Sequence, residues 1–185
     1  ARDCIAWPEG RGLTSYQARA LRDLLDCHRV AVRAPHGVGK TAIAAIALWW
    51  FALTRDGTDW KVPTTASAWR QLTHFLWPEV HKWGRHIRWD LVGRSAPRPF
   101  VEILTCELHL TTGKAFPLAS DKPETMEGAH ADSLLVVFDE AKIIPAATFD
   151  AMEGAFSGGG ADTAQEAFAL AISTPGEPNG RFYEI

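Results

Sequence analysis

The plainest chemical signal in this chain is Ala34-Pro35-His36-Gly37-Val38-Gly39-Lys40-Thr41. It follows the apolar run Val30-Ala31-Val32 and leads into Ala42-Ile43-Ala44-Ala45-Ile46-Ala47-Leu48. A glycine-rich loop between a strand and a helix lets backbone N–H groups curl around phosphate oxygens, and the helix N-terminus adds partial positive charge. Lys40 then stands where it reaches the β- and γ-phosphates, and the Thr41 hydroxyl where it holds Mg²⁺. The usual pattern opens with Gly six residues before the Lys, and here that residue is Ala34. Taken alone, the segment is either a nucleotide-binding loop or a chance glycine-rich turn.

Three further groupings belong with it. Leu134-Leu135-Val136-Val137-Phe138-Asp139-Glu140-Ala141 reads as a buried strand ending in two carboxylates. Asp139 could join the Mg²⁺ shell beside Thr41, and Glu140 could polarise an attacking water as general base. By itself an Asp-Glu pair can merely start a turn; downstream of a phosphate loop it points to a nucleoside triphosphatase. Ala169-Leu170-Ala171-Ile172-Ser173-Thr174-Pro175-Gly176 reads as a strand ending in two hydroxyls. Ser173 or Thr174 could hydrogen-bond the γ-phosphate, or the pair could simply cap the strand. Gln17, beside Tyr16, offers one donor and one acceptor to an adenine edge, with Tyr16 or Trp7 packing nearby.

These groups need a scaffold, and the chain alternates strand and helix patterns in the manner of an α/β fold with a largely parallel sheet. Helices are expected at 15–28 with Thr14 as N-cap, at 41–53, at 68–83 with Ser67 as cap and Pro78 as a kink, and at 146–156. Strands are expected at 29–33, 60–65, 134–139 and 168–173. Segments 100–111 and 115–119 read as a hairpin around Gly113-Lys114. Ser157-Gly158-Gly159-Gly160 reads as a flexible loop, and the acidic residues between Asp121 and Asp132 as a surface loop.

The 185 residues fit one domain, and 46% are apolar against 22% charged, which excludes a disordered chain. No apolar run reaches membrane-spanning length. Three scattered cysteines, Cys4, Cys27 and Cys106, form neither a metal spacing nor a disulfide framework, which suits a reducing cytoplasm. The first residue is Ala1, not Met, as in a trimmed chain or fragment. A net charge of −3 excludes a uniformly basic coat. One stretch, Lys82, Arg85, Arg88, Arg94 and Arg98 with Trp83 and Trp89, could meet a phosphate backbone or be solvated surface.

The ordered series of motifs resembles the ATPase domain of phage terminase large subunits, the motors that pump DNA into procapsids. Leu13-Thr14-Ser15-Tyr16-Gln17 resembles the adenine-binding segment of that family, and Ala34 to Thr41 its phosphate loop. Thr64 to Gln71, followed by Leu76-Trp77-Pro78-Glu79, resembles the lead into its second core helix. Glu127-Gly128-Ala129-His130-Ala131-Asp132 leads into Val136 to Ala141 as in many siphophage terminases. Ile172-Ser173-Thr174-Pro175 resembles the coupling motif, and Asn179-Gly180-Arg181-Phe182-Tyr183 its continuation.

That resemblance implies a single RecA/ASCE-like P-loop NTPase domain over 1–185, with 1–28 as the adenine-binding segment and 29–185 as the core. It implies ATP and Mg²⁺ as cofactors. Lys40, Glu140 and Arg70 would be catalytic, although Arg70 could equally be a helix-surface charge. Thr41 and Asp139 would hold the metal. Tyr16, Gln17, Ala34, Pro35, His36, Gly37, Val38, Gly39, Lys40, Thr41, Ser173 and Thr174 would contact nucleotide. The implied partners are double-stranded DNA, a portal protein, a small terminase subunit and further copies of the chain in a ring, in the host bacterial cytoplasm and away from membranes.

Two departures stand out. His36 occupies a place that is often Arg in the family, and Glu127-Gly128 one that is often Arg-Gly. A trans-acting arginine would then come from elsewhere, with Arg33, Arg94, Arg98 and Arg181 as candidates. The chain also ends at Ile185, just past the coupling segment, so no nuclease domain is expected within it. The rival readings are a superfamily 2-like helicase or translocase module, and a nucleotide-binding assembly module without turnover.

Overall fold

Thr14 starts the first helix, α1 (Ser15–Cys27), through a capping box. Its Oγ1 accepts from the Gln17 N–H at 3.4 Å, and Gln17 Oε1 accepts from the Thr14 N–H at 2.9 Å. The helix closes at His28 with φ 63°, and the chain enters β1 (Arg29–Arg33). The computed structural model describes residues 4–99, 101–119, 129–157 and 166–184.

After the loop come α2 (Lys40–Arg55) and β2 (Trp60–Ala66). A helical stretch follows: α3 (Trp69–Gln71), a π-turn over Leu72–Leu76, then α4 (Trp77–His86) and the short α5 (Trp89–Val92). The chain continues through β3 (Leu108–His109), β4 (Lys114–Ala119), β5 (Ser133–Asp139), a 3₁₀ turn at Ala141–Ile143, α6 (Ala146–Ser157), β6 (Glu166–Ser173) and α7 (Arg181–Glu184). The six strands form one sheet in the order β1-β6-β5-β2-β4-β3, parallel except for β3 against β4. The fold is mixed α/β, with helices on both faces.

Alternation along the central strands divides the core. Leu135 and Val137 of β5 join Leu170 and Ile172 of β6 beneath α2 and α4, while Leu134, Val136 and Phe138 join Ala169 and Ala171 beneath α6. All seven residues of β5 are buried, as a strand covered on both faces requires. The apolar body of α2, from Ile43 to Ala52, packs into the first of these layers. At its far end Arg55 grips Glu166 with two hydrogen bonds, 2.8 and 2.5 Å, and lies over Trp50, Phe51 and Phe168. Those bonds hold the Glu166 carboxyl below its ordinary range against the pull of partial burial.

The structure departs from three local expectations. Pro78 does not simply kink its helix. The Trp77 N–H reaches back to Leu72 O, so a π-turn widens the helix immediately before a proline that has no N–H to donate. Ser67 is not the cap: Ala68 holds the N-cap position, with no side-chain hydrogen bond. The hairpin is much shorter than 100–111 suggests. Only Leu108 and His109 pair with Ala115 and Lys114, because the N–H groups of Val101, Glu102 and Ile103 all turn back onto Arg98 O. Along its length β4 pairs with β2, parallel.

The Gly158–Gly160 loop and most of the acidic segment before Asp132 lie outside the described residues. Among the described residues, no helix is long and apolar enough to cross a membrane.

Candidate active site

The insertion of β6 and β5 between β1 and β2 assembles the site. Arg33 pairs in register with Ser173, Asp139 with Ile172, and Ala66 with Asp139. The C-terminal ends of β1, β6 and β5 therefore lie side by side. The loop 34–41, the Asp139-Glu140 pair and Ser173-Thr174 all leave the sheet at this edge, where open α/β sheets place their ligands.

Gly37 and Gly39 take left-handed backbone angles, φ 78° and 85°. Gly39 is also the N-cap of α2, and a Cβ there would come within 2.6 Å of Gln17 Nε2. Ala34 is not among the positive-φ residues, so alanine fits where the usual pattern has glycine. Its N–H donates to Ser173 O at 3.1 Å, which ties the loop to β6. Lys40 is buried, and its ammonium donates to Ala34 O and Pro35 O, each at 2.8 Å. That cation is held inside the curl of the loop, where an anionic ligand would compete for it. Thr41 is half-buried in the first turn of α2, and His36 is exposed.

Asp139 is only 5% exposed. Burial, reinforced by the neighbouring Glu140, pushes its carboxyl up to about 6 from 3.8, while the Glu140 N–H and the charge of Lys40 pull the other way. The Glu140 N–H donates to Asp139 Oδ1 at 3.0 Å. Glu140 itself sits at φ 49°, ψ 46°, an uncommon left-handed conformation for a residue with a Cβ. This turns its side chain toward β6, where Ser173 Oγ donates to Glu140 Oε2 at 3.3 Å.

A buried carboxylate beside a second carboxylate, with a threonine hydroxyl available at the head of α2, is a donor set that suits a hard divalent cation. Among the described residues no group of three His, Cys, Asp or Glu could hold a metal by itself. Such a site suits an ion that draws most of its ligands from phosphate and water, as Mg²⁺ does.

Gln17 and Tyr16 meet the loop rather than open space. The Gln17 Nε2 lies 3.4 Å from both Val38 O and Gly39 O, and the Tyr16 hydroxyl donates to Val38 O. Trp7 is not with them; its ring packs on Trp83 at 5.0 Å, over α4. Arg70 follows β2 at the same sheet edge as Asp139 but is exposed.

The arginines proposed to act on a neighbour are all engaged within their own chain. Arg33 donates to Phe182 O and Tyr183 O, both at 2.6 Å, and lies over both rings. Arg94 pairs with Asp56 at 2.5 Å, Arg98 with Glu102 at 3.7 Å, and Arg181 with Asp150. The basic stretch is likewise diminished, since Lys82 pairs with Glu79 at 3.0 Å. Arg85 and Arg88 are exposed and form no ion pair with a described residue.

One residue joins the site that motif reasoning passed over. Lys142 Nζ donates to Thr174 Oγ1 at 2.6 Å. The signal was available: Lys142 is the single basic residue between Asp132 and Asp150, two places after Glu140.

The ATPase domain of the large terminase of Thermus phage P74-26 superposes with a TM-score of 0.65 at 19% identity, over 95% of this chain and 69% of that one. The chain has the fold of a phage large-terminase ATPase domain. A mutant of the same P74-26 domain gives a TM-score of 0.62 at 19% identity, covering 95% of this chain and 70% of that one. A large terminase from a second thermophilic bacteriophage, in complex with ADP, gives 0.63 at 12% identity, covering 94% of this chain and 41% of that one. The sequence matches no protein-family model and no curated protein. At these identities the terminase likeness is one of fold, and it agrees with the family that the motifs resemble.

Proposed function

We propose that this chain is the Mg²⁺-dependent ATPase domain of a terminase-type motor that drives double-stranded DNA into a viral procapsid. The observation that carries the reading is the convergence at one sheet edge of Lys40, Asp139, Glu140 and Ser173, in a fold shared with terminase ATPase domains. ATP would lie along the loop 34–41, with its base toward Tyr16 and Gln17. Thr41 and Asp139 would hold Mg²⁺, which neutralises charge on the β- and γ-phosphates when bound.

Lys40 would exchange its two carbonyl partners for phosphate oxygens. Glu140, aimed by Ser173, would take the proton of the attacking water. Ser173 and Thr174 would face the γ-phosphate and couple its loss to movement. Arg70 would act from the neighbouring helix start. The larger setting follows from the same reading: a ring of copies, a portal protein, a small terminase subunit and DNA, in the host bacterial cytoplasm.

The test is phosphate release together with nucleotide binding by the purified chain, alone and with DNA. Lys40→Ala should lose both binding and turnover. Glu140→Gln should bind ATP but turn it over at least about 100-fold more slowly, the usual weight of a general base. Turnover by Glu140→Gln near the unmodified rate would sink the assignment of the base.

A further inference from the structure

Two hydroxyls stand side by side at the end of β6, and the chain around them treats them differently. A hydroxyl has one proton to donate and two lone pairs to accept with. The Ser173 proton is spent on Glu140 Oε2 at 3.3 Å. Thr174 is in the opposite state. Its Oγ1 accepts from Lys142 Nζ at 2.6 Å, and its own proton goes to no described residue. Both side chains are buried, Ser173 at 0% and Thr174 at 7% exposure.

Lys142 is held in place by more than that bond. Its stem lies across Gly176, where a Cβ would meet Lys142 Cδ at 3.3 Å and Cβ at 3.5 Å. The 3₁₀ turn that carries Lys142 follows directly from Glu140. One short segment thus reaches both hydroxyls: Glu140 takes a proton from Ser173, and Lys142 fills a lone pair on Thr174.

We propose that Lys142 is a positioning residue that orients the Thr174 hydroxyl as a hydrogen-bond donor to the γ-phosphate, leaving Ser173 to serve Glu140. The inference rests on the ATPase reading above and divides a role that the sequence alone leaves shared. An ammonium on the acceptor side turns the hydroxyl proton outward and makes it a stronger donor. ADP has no γ-phosphate, so the arrangement selects ATP over ADP and reports hydrolysis through the Pro175-Gly176 segment that Lys142 overlies.

The experiment is titration of the full chain with Mg·AMP-PNP and with Mg·ADP, read by calorimetry, for the unmodified protein and for Lys142→Met, Lys142→Arg, Thr174→Val and the Lys142→Met/Thr174→Val double variant. Losing one charge-assisted bond should weaken AMP-PNP binding about tenfold in Lys142→Met while ADP binding stays within about twofold. Lys142→Arg should recover most of the loss, and the double variant should be no worse than either single one. Equal weakening of both nucleotides, or of neither, in Lys142→Met overturns the inference. If the unmodified chain binds both nucleotides and Lys40→Ala abolishes that binding, such a result removes this inference alone. If the unmodified chain binds neither nucleotide, the ATPase reading falls with it.

Discussion

Ser173 Oγ lies 3.3 Å from Glu140 Oε2, and that one contact joins the ends of two adjacent parallel strands. Glu140 has a left-handed backbone at φ 49°, which sends its carboxylate sideways along the sheet edge rather than onward from β5. Ser173 is fully buried. A fixed donor thus meets a carboxylate that would otherwise sample several rotamers.

Removing that donor should loosen the proposed base, Glu140, without touching the loop 34–41, whose own bond to this residue uses the Ser173 carbonyl. Ser173→Ala is expected to lower kcat for ATP hydrolysis about tenfold and to leave KM within about twofold, as loss of an orienting hydrogen bond does. Steady-state kinetics against ATP concentration would decide it, and an unchanged kcat would count against the orienting role.

The Asp139 carboxyl, pushed up to about 6, predicts a pH-dependent stability with a definite sign. Between 3.8 and about 6 the folded chain holds this proton more tightly than the unfolded chain. Stability from this group is therefore greatest below 3.8 and is lost as pH rises through the folded value. Asp139→Asn keeps an oxygen to accept from the Glu140 N–H and cannot ionise. It should stabilise the nucleotide-free protein by roughly 1–3 kcal/mol at pH 7.5, with the gain vanishing below about pH 4. Denaturant melts of both proteins across this range measure it, and a gain independent of pH would contradict the account.

Gly84 faces the Trp49 indole so closely that a Cβ would come within 2.6 Å of Cζ2 and 3.1 Å of Cε2. The indole cannot easily retreat, because Trp49 is 3% exposed and its Nε1 donates to Val80 O at 2.7 Å. Gly84→Ala should cost about 1–3 kcal/mol through overpacking between α2 and α4, and lower Tm by roughly 5 °C. Gly154 in α6 is the internal comparison, since a Cβ there meets nothing within 4 Å. Gly154→Ala should raise stability by about 0.5–1 kcal/mol through helix propensity alone. Thermal melts that moved in the same direction for both variants would refute the packing argument.

Much of the scaffold was legible in the residues. The N-cap at Thr14, the buried run of β5 and the apolar body of α2 follow from side-chain type and spacing within a few positions, whereas the part Gln17 plays in that cap came only with the structure. Ser67 failed as a cap, and Pro78 produced a π-turn rather than a bend, because several local arrangements satisfy the same backbone groups at similar cost. The extended strand expected at 100–111 failed because the N–H groups of Val101, Glu102 and Ile103 close a turn onto Arg98 O, which leaves only Leu108 and His109 to pair with β4. Three of the finger candidates looked free in sequence because their partners lie far along the chain, as Arg33 with Tyr183, Arg94 with Asp56 and Arg181 with Asp150 show, whereas Arg98 pairs with Glu102 only four residues on.

The sequence by itself determined the pieces of the site: a loop whose glycines supply the left-handed turns, a buried strand delivering two carboxylates, and a second strand delivering two hydroxyls. Those are properties of residue type and local period. Tertiary structure decided how the pieces meet. The placement of β6 between β1 and β5 put Ser173 beside Glu140, brought Lys142 onto Thr174 and held Ala34 against Ser173. Strand order depends on which apolar faces pack together across the whole chain, and no window of neighbouring residues contains that information.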